Sequence, residues 1–230
     1  MVYSLVIANL IFFLFLHIYY MIIETFSFDP ISTNAYFVAN EATGEAFIID
    51  APLGSYEWTR KLIKKHSAKL MGVLLTHGHW DHILDAHLFA KDKIALMGHS
   101  NDRLLFENPE LMSSFSIPGL ELKGFIINNW LDSIPSIVVA GIKILLFEVP
   151  GHCPGSMLFY LASESIAFVG DAIFNNGVGR CDLPGGNFAE LENSIKSKIY
   201  TLPDETELFP GHGISTSVLQ EKNNNPFVRL

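Results

Sequence analysis

The chain has 230 residues, of which 49% are hydrophobic and 17% are charged, and its formal net charge is −9. This composition excludes a disordered or low-complexity chain, and the acid excess argues against a nucleic-acid partner because phosphate contacts need a basic surface. Two cysteines cannot form a disulfide framework, so we expect one domain held by a hydrophobic core.

Residues 1–20 form an apolar extension without Asp, Glu, Lys or Arg, and no Lys or Arg precedes Arg60. The apolar run is long enough for a membrane helix, but the basic flank of a signal peptide or anchor is missing. Three interpretations stay open: a translational start placed before a real one at Met21, an uncleaved membrane anchor, or an unusual signal peptide. We therefore assign the folded domain to residues 21–230 and expect a cytoplasmic protein, with membrane anchoring through residues 1–20 as the alternative.

From residue 21 onward the pattern predicts an α/β domain. Short apolar runs between turn signals predict strands, and apolar residues at helical spacing predict helices. In chain order we predict strands over 22–28, 35–38 and 46–49, a helix over 55–66, a strand over 70–76, a helix over 82–90, a strand over 93–97, a helix and a loop within 98–132, a β-rich stretch over 134–149, strands over 157–161 and 166–170, a helix over 187–201, a strand over 208–209 and a polar tail. No repeat or phosphate-binding glycine loop occurs, so we predict sheets flanked by helices.

The strongest functional signal is the segment Thr76-His77-Gly78-His79-Trp80-Asp81-His82, at the end of a predicted buried strand. Four metal-competent side chains fall within six positions, and Gly78 lets the backbone turn so that they can converge. Imidazole nitrogen suits zinc, iron, cobalt or nickel, and the carboxylate adds an oxygen ligand. Such crowding is unfavourable in an ordinary solvated loop, so the segment predicts a metal site.

Three later apolar runs end in the same way. Gly151-His152, Gly170-Asp171 and Gly211-His212 each follow a short predicted strand. Because loops at strand ends form a common rim in α/β folds, we expect these side chains to meet. The candidate metal ligands are His77, His79, Asp81, His82, His152, Asp171 and His212. Seven ligands exceed what one tetrahedral zinc uses, and they predict two metals that share a bridging carboxylate.

With these motifs the sequence resembles the metallo-β-lactamase superfamily, and within it the short form of the glyoxalase II (hydroxyacylglutathione hydrolase) branch, without the C-terminal helical domain. The resemblance covers residues 21–228 and rests on Asp29-Pro-Ile-Ser-Thr-Asn-Ala-Tyr36, the segment 76–82, Gly151-His-Cys-Pro-Gly-Ser156, Gly170-Asp-Ala-Ile-Phe174, Gly177-Val-Gly-Arg-Cys-Asp182, Pro210-Gly-His-Gly213 and Asn225-Pro-Phe227. It implies a single-domain, four-layer αββα sandwich with the metals at one edge of the sheets.

The resemblance also implies how the ligands divide. One metal would take His77, His79 and His152, the second would take Asp81, His82 and His212, and Asp171 would bridge them. The cofactors implied are two divalent ions, zinc before iron or manganese. The implied activity is hydrolysis of a small-molecule thioester, such as S-lactoylglutathione, by a metal-bridging hydroxide, with Asp81 and Asp171 as the catalytic carboxylates.

Other positions refine this expectation. Asp171 stands where true β-lactamases of the superfamily carry a cysteine ligand, which argues against β-lactam hydrolysis. Only residues 213–230 follow the last ligand, so we expect no counterpart of the domain that supplies the family's main glutathione contacts. We expect Arg180 and Asp182 to pair and hold the loop after Asp171, with substrate contact as the alternative. Phe174 is expected to line the pocket or to pack in the core.

Three alternatives to a binuclear thioester hydrolase stay open. Persulfide dioxygenases resemble this sequence in the ligand motifs but use a single iron held by two histidines and one aspartate, which leaves positions for oxygen. A non-catalytic scaffold stabilised by metal is disfavoured because structural sites are closed. A nuclease of the superfamily is disfavoured by the negative charge.

Overall fold

The computed structural model describes residues 21–230, so the predictions for residues 1–20 lie outside the described residues. Within the described range, the strands form two six-stranded sheets and a two-stranded hairpin. The strands of the first sheet, in spatial order, are β1 (Met21–Phe28), β2 (Thr33–Asn40), β3 (Glu45–Ile49), β4 (Lys69–Leu74), β5 (Leu96–Gly98) and β6 (Asn129–Trp130). β1, β2 and β3 pair antiparallel, whereas β3 to β6 pair parallel.

The second sheet is largely antiparallel. Its strands, in spatial order, are β14 (Thr216–Ser217), β13 (Glu207–Pro210), β10 (Ile166–Gly170), β9 (Met157–Leu161), β8 (Ile142–Glu148) and β7 (Ser136–Val139). Only the β10–β13 pair of this sheet is parallel. The hairpin consists of β11 (Ile173–Phe174) and β12 (Gly177–Val178) and follows β10 directly.

The helices are short apart from the first. They are α1 (Ser55–His66), α2 (Trp80–Ile83), α3 (Ala86–Lys91), α4 (Arg103–Glu107), α5 (Phe188–Ser194) and α6 (Val218–Asn224). Two 3-10 segments, Ser100–Asp102 and Pro109–Phe115, flank α4, and a π-helical turn, Ile195–Ile199, extends α5. Among the helices of residues 21–230, none combines the length and the apolar run that crossing a membrane requires.

Alternating side chains of the strands separate the core into layers. On β2, Tyr36 and Val38 pack with the inner face of the second sheet, whereas Phe37 packs on the side of α1 and α3. On β9, Phe159 faces the first sheet and Leu158 packs against α5 and α6. This alternation follows from the two-residue period of a strand. It gives the order helices, sheet, sheet, helices, so the predicted four-layer αββα fold in a single domain is confirmed.

Some predicted elements differ in the structure. The helix predicted over 82–90 is divided into α2 and α3, because Asp85 between them accepts hydrogen bonds from the backbone N–H groups of Gly54 and Tyr56 at the start of α1. The tail predicted as polar contains α6, which buries the carboxylate of Glu221 rather than exposing it.

Backbone hydrogen bonds join the two sheets at one edge. The N–H of Met157, at the start of β9, donates to the carbonyl of Thr76 beyond β4 at 2.8 Å. The N–H of Gly211 donates to the carbonyl of Gly170 at 2.8 Å, and the N–H of Asn34 donates to the carbonyl of Gly211 at 2.7 Å. At this edge the loop after β4 is therefore held to the start of β9, and the loop after β13 is held to the end of β10 and to β2.

Candidate metal centre

The structure brings the seven predicted ligands into one cluster at the joined edge. They are His77 and His79 in the turn before α2, Asp81 and His82 within α2, His152 after β8, Asp171 between β10 and β11, and His212 after β13. Six of the side chains are buried, and that of His212 is 25% exposed. Residues from four separate turns thus meet around a common point, as their positions after strand ends predict.

Three histidines form the first group. Nδ1 of His79 lies 2.8 Å from Nε2 of His152, which lies 3.2 Å from Nε2 of His77. These three nitrogens come from two segments of the chain, the turn before α2 and the loop after β8, and they lie within 4.8 Å of one another. Three converging imidazole nitrogens form a donor set that divalent transition metals accept.

The second group contains Asp81, His82 and His212. Oδ2 of Asp81 lies 3.3 Å from Nε2 of His82 and 3.3 Å from Nε2 of His212. Thr33 holds the carboxylate from outside the group, because its hydroxyl donates to Oδ2 of Asp81 at 2.9 Å. This group therefore combines two nitrogen ligands with one anionic oxygen.

Asp171 lies between the two groups. Its Oδ1 is 3.3 Å from Nε2 of His82, and its Oδ2 is 3.5 Å from Nε2 of His152 and 3.4 Å from Nε2 of His212. One carboxylate thus faces a histidine of the first group and two of the second. This placement is the one that a bridging ligand between two cations requires.

In four of the imidazoles the outer nitrogen, which points away from the cluster, has a hydrogen-bond partner. This contact orients the ring so that the inner nitrogen faces the cluster. Nδ1 of His82 donates to Oδ2 of Asp50 at 2.7 Å, and Nδ1 of His152 and His212 donate to backbone carbonyls at 2.7 and 3.2 Å. Nδ1 of His77 is 3.0 Å from the Thr76 hydroxyl, which itself donates to Asp50. With hydrogen assigned to each outer nitrogen by its acceptor, the inner Nε2 is the atom that faces the cluster, and in the neutral imidazole it presents a lone pair there.

Burial and charge act differently on the two groups. Burial lowers the pKa of His77 well below its usual range and that of His79 to about 3, so both imidazoles are neutral at pH 7. Burial also opposes charge on His82, but the neighbouring carboxylates, Asp81 first, outweigh it and raise the pKa of His82 well above its usual range. The same balance raises the pKa of His212 to about 10. The carboxylates around the second group therefore favour a positive charge on its two imidazoles.

The donor atoms of the cluster fit divalent cations. Nε2 of His82 and Oδ1 of Asp171 are buried and make no hydrogen bond within residues 21–230. Such groups cost about 1–3 kcal/mol each when they are left unsatisfied. A cation would satisfy both, and nitrogen with carboxylate oxygen is a donor set that zinc, iron and manganese accept.

A family comparison agrees with this geometry. The sequence model of the metallo-beta-lactamase superfamily matches residues 28–212, from the end of β1 to the last candidate ligand. The chain belongs to the metallo-β-lactamase superfamily. Its αββα fold and the position of its metal-competent cluster at the sheet edge are accordingly those of this superfamily.

Two superfamily relatives cover most of the chain. The probable metallo-hydrolase YqgX of Bacillus subtilis is 33% identical over 201 residues, which are 86% of this chain and 93% of the relative. The hydroxyacylglutathione hydrolase GloC of Haemophilus influenzae is 35% identical over 187 residues, which are 80% of this chain and 87% of the relative. The resemblance therefore extends over nearly the full length of each relative.

Solved structures of the superfamily give the same picture. The BLEG-1 B3 metallo-beta-lactamase matches with a TM-score of 0.83 at 32% identity over 90% of this chain and 99% of its own. TTHA1623, solved in a di-iron-bound form, matches with a TM-score of 0.77 at 28% identity over 89% and 100%. ETHE1 from Myxococcus xanthus matches with a TM-score of 0.73 at 27% identity over 90% and 84%. These three structures share the fold but are different proteins by name. The fold alone therefore does not identify the substrate of this chain.

Two buried aspartates that support the cluster were not predicted from the sequence. Asp50 accepts hydrogen bonds from the backbone N–H and the hydroxyl of Thr76, at 2.7 and 2.8 Å, as well as from His82. Asp102 accepts hydrogen bonds from the backbone N–H groups of Gly78 and Gly155. The position of Asp50 directly after the apolar strand β3 was an available signal, but Asp102 lies in a segment without a clear period.

Gly211 leaves room for the carboxylate of Asp171. A Cβ atom at this position would overlap Oδ1 of Asp171 and would lie 2.6 Å from Cε1 of His82. The glycine that precedes the last ligand is therefore required by close approach of the backbone to the cluster. This requirement explains why a glycine stands between the end of β13 and His212.

A cavity of about 510 Å³ opens beside the cluster. Phe174 lines it, and its ring lies edge-on to that of His212 with the centroids 6.0 Å apart. Arg180 also lines the cavity, and its guanidinium binds the carboxylate of Asp182 through two hydrogen bonds of 2.6 Å. Hydrogen bonding to Arg180 lowers the pKa of Asp182 to about 2. The expected pairing of these two side chains is therefore present, at an exposed position on the cavity rim.

Proposed function

We propose that this chain is a metal-dependent thioester hydrolase of the glyoxalase II type, which uses two divalent cations to cleave S-lactoylglutathione or a related thioester. The observation that carries the proposal is Asp171, whose two oxygens face His82 on one side and His152 on the other. The hydroxyacylglutathione hydrolase relative and the di-iron-bound structure support the same combination of substrate and metal count.

The candidate ligands would hold the two metals in the two groups that the geometry defines. His77, His79 and His152 would hold one cation, His82, His212 and Asp81 the other, and Asp171 both. Two cations in such a site supply Lewis-acid polarisation of a carbonyl and make water a nucleophile near neutral pH. We infer that Asp81 and Asp171 act as the catalytic carboxylates, because they are the anionic ligands that face the cavity.

No side chain of the cavity competes as a nucleophile within residues 21–230. The hydroxyl of Ser116 donates to the backbone carbonyl of Ser113 and not to an imidazole. Cys153 follows a ligand histidine, but its thiol is buried and donates to Asp102, and burial raises the pKa of Cys153 well above its usual range. Activated nucleophiles need a neighbouring base or a lowered pKa. The attacking group is therefore best supplied by water.

A second candidate is a persulfide dioxygenase with one iron. His77, His82 and Asp171 lie close enough to form a site of two histidines and one carboxylate, which is a ligand set of oxygen-activating iron. The likeness to ETHE1 from Myxococcus xanthus favours including this reaction in the test. The likeness to a B3 metallo-beta-lactamase favours including a β-lactam, although the sequence prediction disfavours that substrate.

Purified protein tests the proposal against three substrates. We expect hydrolysis of S-lactoylglutathione, no oxygen uptake with glutathione persulfide, and little cleavage of a chromogenic cephalosporin. Asp171→Ala should lose thioester hydrolysis by at least about a hundredfold, since it removes the shared ligand. The matched control is Asp204→Ala, which removes an exposed carboxylate that binds Lys222 outside the cluster and should keep full activity. Oxygen uptake without thioester hydrolysis would replace this proposal by the dioxygenase.

A further inference from the structure

The cavity beside the metal-competent cluster has an apolar wall formed by Trp80, Met112, Phe115, Ile117 and Leu183. Apart from five metal-competent side chains, Ser116 and Arg180, every residue between 21 and 230 that lines this cavity is apolar. Binding cavities for small molecules commonly combine an apolar lining with a few polar groups that fix orientation. The wall would therefore contact the part of a substrate that extends away from the cluster.

Most of the apolar wall is built into the core, and the wall is continuous with the site. Trp80, Met112 and Leu183 are buried and pack in one cluster, against which Ile117 packs. Trp80 lies between the candidate ligands His79 and Asp81 in the sequence, so the wall begins beside the reacting groups. A substrate held at the cluster would place one of its substituents along the apolar wall.

The charges of the lining residues determine which kind of substrate group can bind along the apolar wall. Arg180 is the only Lys or Arg among the described residues that line the cavity, and Asp182 already occupies its guanidinium. The apolar wall itself offers no partner for a carboxylate or an ammonium group. Burying such a group without a partner is unfavourable, whereas burying methylene groups is favourable. The apolar wall thus favours binding of an uncharged hydrocarbon substituent of the substrate.

We propose that the apolar wall binds the acyl chain of the thioester, and that the preferred substrates carry an apolar acyl chain of medium length. This inference rests on the proposed thioester hydrolysis and adds the substrate class. A small hydroxyacyl group would leave the wall largely uncovered, and within the described part of the chain Ser116 supplies the single hydroxyl of the lining. Each methylene that becomes buried should raise kcat/KM by roughly fourfold.

Two substrate series test the assignment. The first varies the acyl group on glutathione through acetyl, butanoyl, hexanoyl and lactoyl, and we expect kcat/KM to rise by at least about tenfold from acetyl to hexanoyl. The second keeps the hexanoyl group and replaces glutathione by N-acetylcysteamine. Calorimetric binding of S-hexylglutathione, which cannot be hydrolysed, provides a measurement that is independent of turnover.

The chain offers a matched pair of variants. Phe115 and Leu111 lie on the same 3-10 helix and are 44% and 53% exposed, but only Phe115 lines the cavity. Phe115→Ala should lower the ratio of hexanoyl to acetyl kcat/KM by at least about threefold, and the affinity for S-hexylglutathione by a similar factor. Leu111→Ala should change neither quantity.

The outcomes separate this inference from the proposed function. Hydrolysis of acetyl and lactoyl thioesters with no rise toward hexanoyl would overturn the acyl assignment and leave thioester hydrolysis standing. Equal effects of Phe115→Ala and Leu111→Ala would also overturn it. Failure to hydrolyse any thioester would overturn both. A rise with acyl length that Phe115→Ala reduces and Leu111→Ala does not would support it.

Discussion

Asp102 connects the two loops that carry the first histidine group. Its Oδ2 accepts the N–H of Gly78 at 2.8 Å, its Oδ1 accepts the N–H of Gly155 at 2.7 Å, and the thiol of Cys153 lies 3.2 Å from Oδ1. The carboxylate is buried. Because Gly78 lies between two of these histidines and Cys153 follows the third, we expect replacement of Asp102 to disturb the metal site as well as the fold.

The size of the effect follows from the hydrogen bonds that are lost. A hydrogen bond to a charged acceptor contributes about 1.5–3 kcal/mol, so the two backbone donors together account for roughly 3–6 kcal/mol. Burial raises the pKa of Asp102, so desolvation of the carboxylate offsets some of this gain. We therefore expect Asp102→Ala to lower the free energy of unfolding by about 3 kcal/mol. Loosened ligand loops should weaken metal binding by about 10- to 100-fold.

Urea unfolding of the metal-free protein and competition with a chromogenic zinc chelator measure the two effects. Asp132→Ala is the matched control, since Asp132 accepts hydrogen bonds from Ser100 but is partly exposed. We expect the control to lose under about 1 kcal/mol and to keep its zinc affinity. If Asp102→Ala lost no more stability than the control and bound zinc normally, Asp102 would not be the connection described above.

Three further predictions concern close packing, pH and metal removal. Gly211→Ala should weaken zinc binding at least about tenfold in the chelator assay, because its Cβ displaces Asp171, whereas Gly177→Ala, with its nearest contact at 3.5 Å, should bind normally. Burial raises the pKa of Tyr200 to about 12, above the value near 10 of an unfolded chain. The protonated phenol is thus favoured by folding, so its contribution is complete below about pH 10 and is lost as the pH rises through about 12. Urea unfolding should therefore show a steeper loss of stability over that window in the native protein than in Tyr200→Phe, and equal slopes would refute this. Zinc at about 100 times its Kd should stabilise the stripped protein by about 2.7 kcal/mol in thermal unfolding, and an unchanged Tm would show that the folded state has no tighter site than the unfolded chain.

Local patterns predicted the elements that carry the site. The helix over 55–66 and the strands over 157–161 and 166–170 begin and end in the structure where the sequence pattern places them. Glycine followed by a metal-competent residue after a strand was enough to find His152, Asp171 and His212, because strand ends lie at a common edge. The convergence of these side chains is observed, whereas their binding of metal stays a prediction.

Contacts between distant segments could not be predicted in this way. Asp102 supports loops that are 24 and 53 residues away in the sequence, and no local period marks it. The segment 98–132 contains the five-residue helix α4 between two 3-10 turns, followed by the two-residue strand β6, and its apolar side chains pack around Trp80, so no long helical or strand period marks it. The helix predicted over 187–201 changes to a π-helical turn at Ile195, since its buried face is set by the second sheet.

The most direct test of two cations around Asp171 is anomalous diffraction from crystals of the zinc-loaded protein. Two peaks should appear, one within bonding distance of His77, His79 and His152 and the other within bonding distance of Asp81, His82 and His212. Both should contact a carboxylate oxygen of Asp171. A single peak, or peaks that do not contact Asp171, would contradict the binuclear centre.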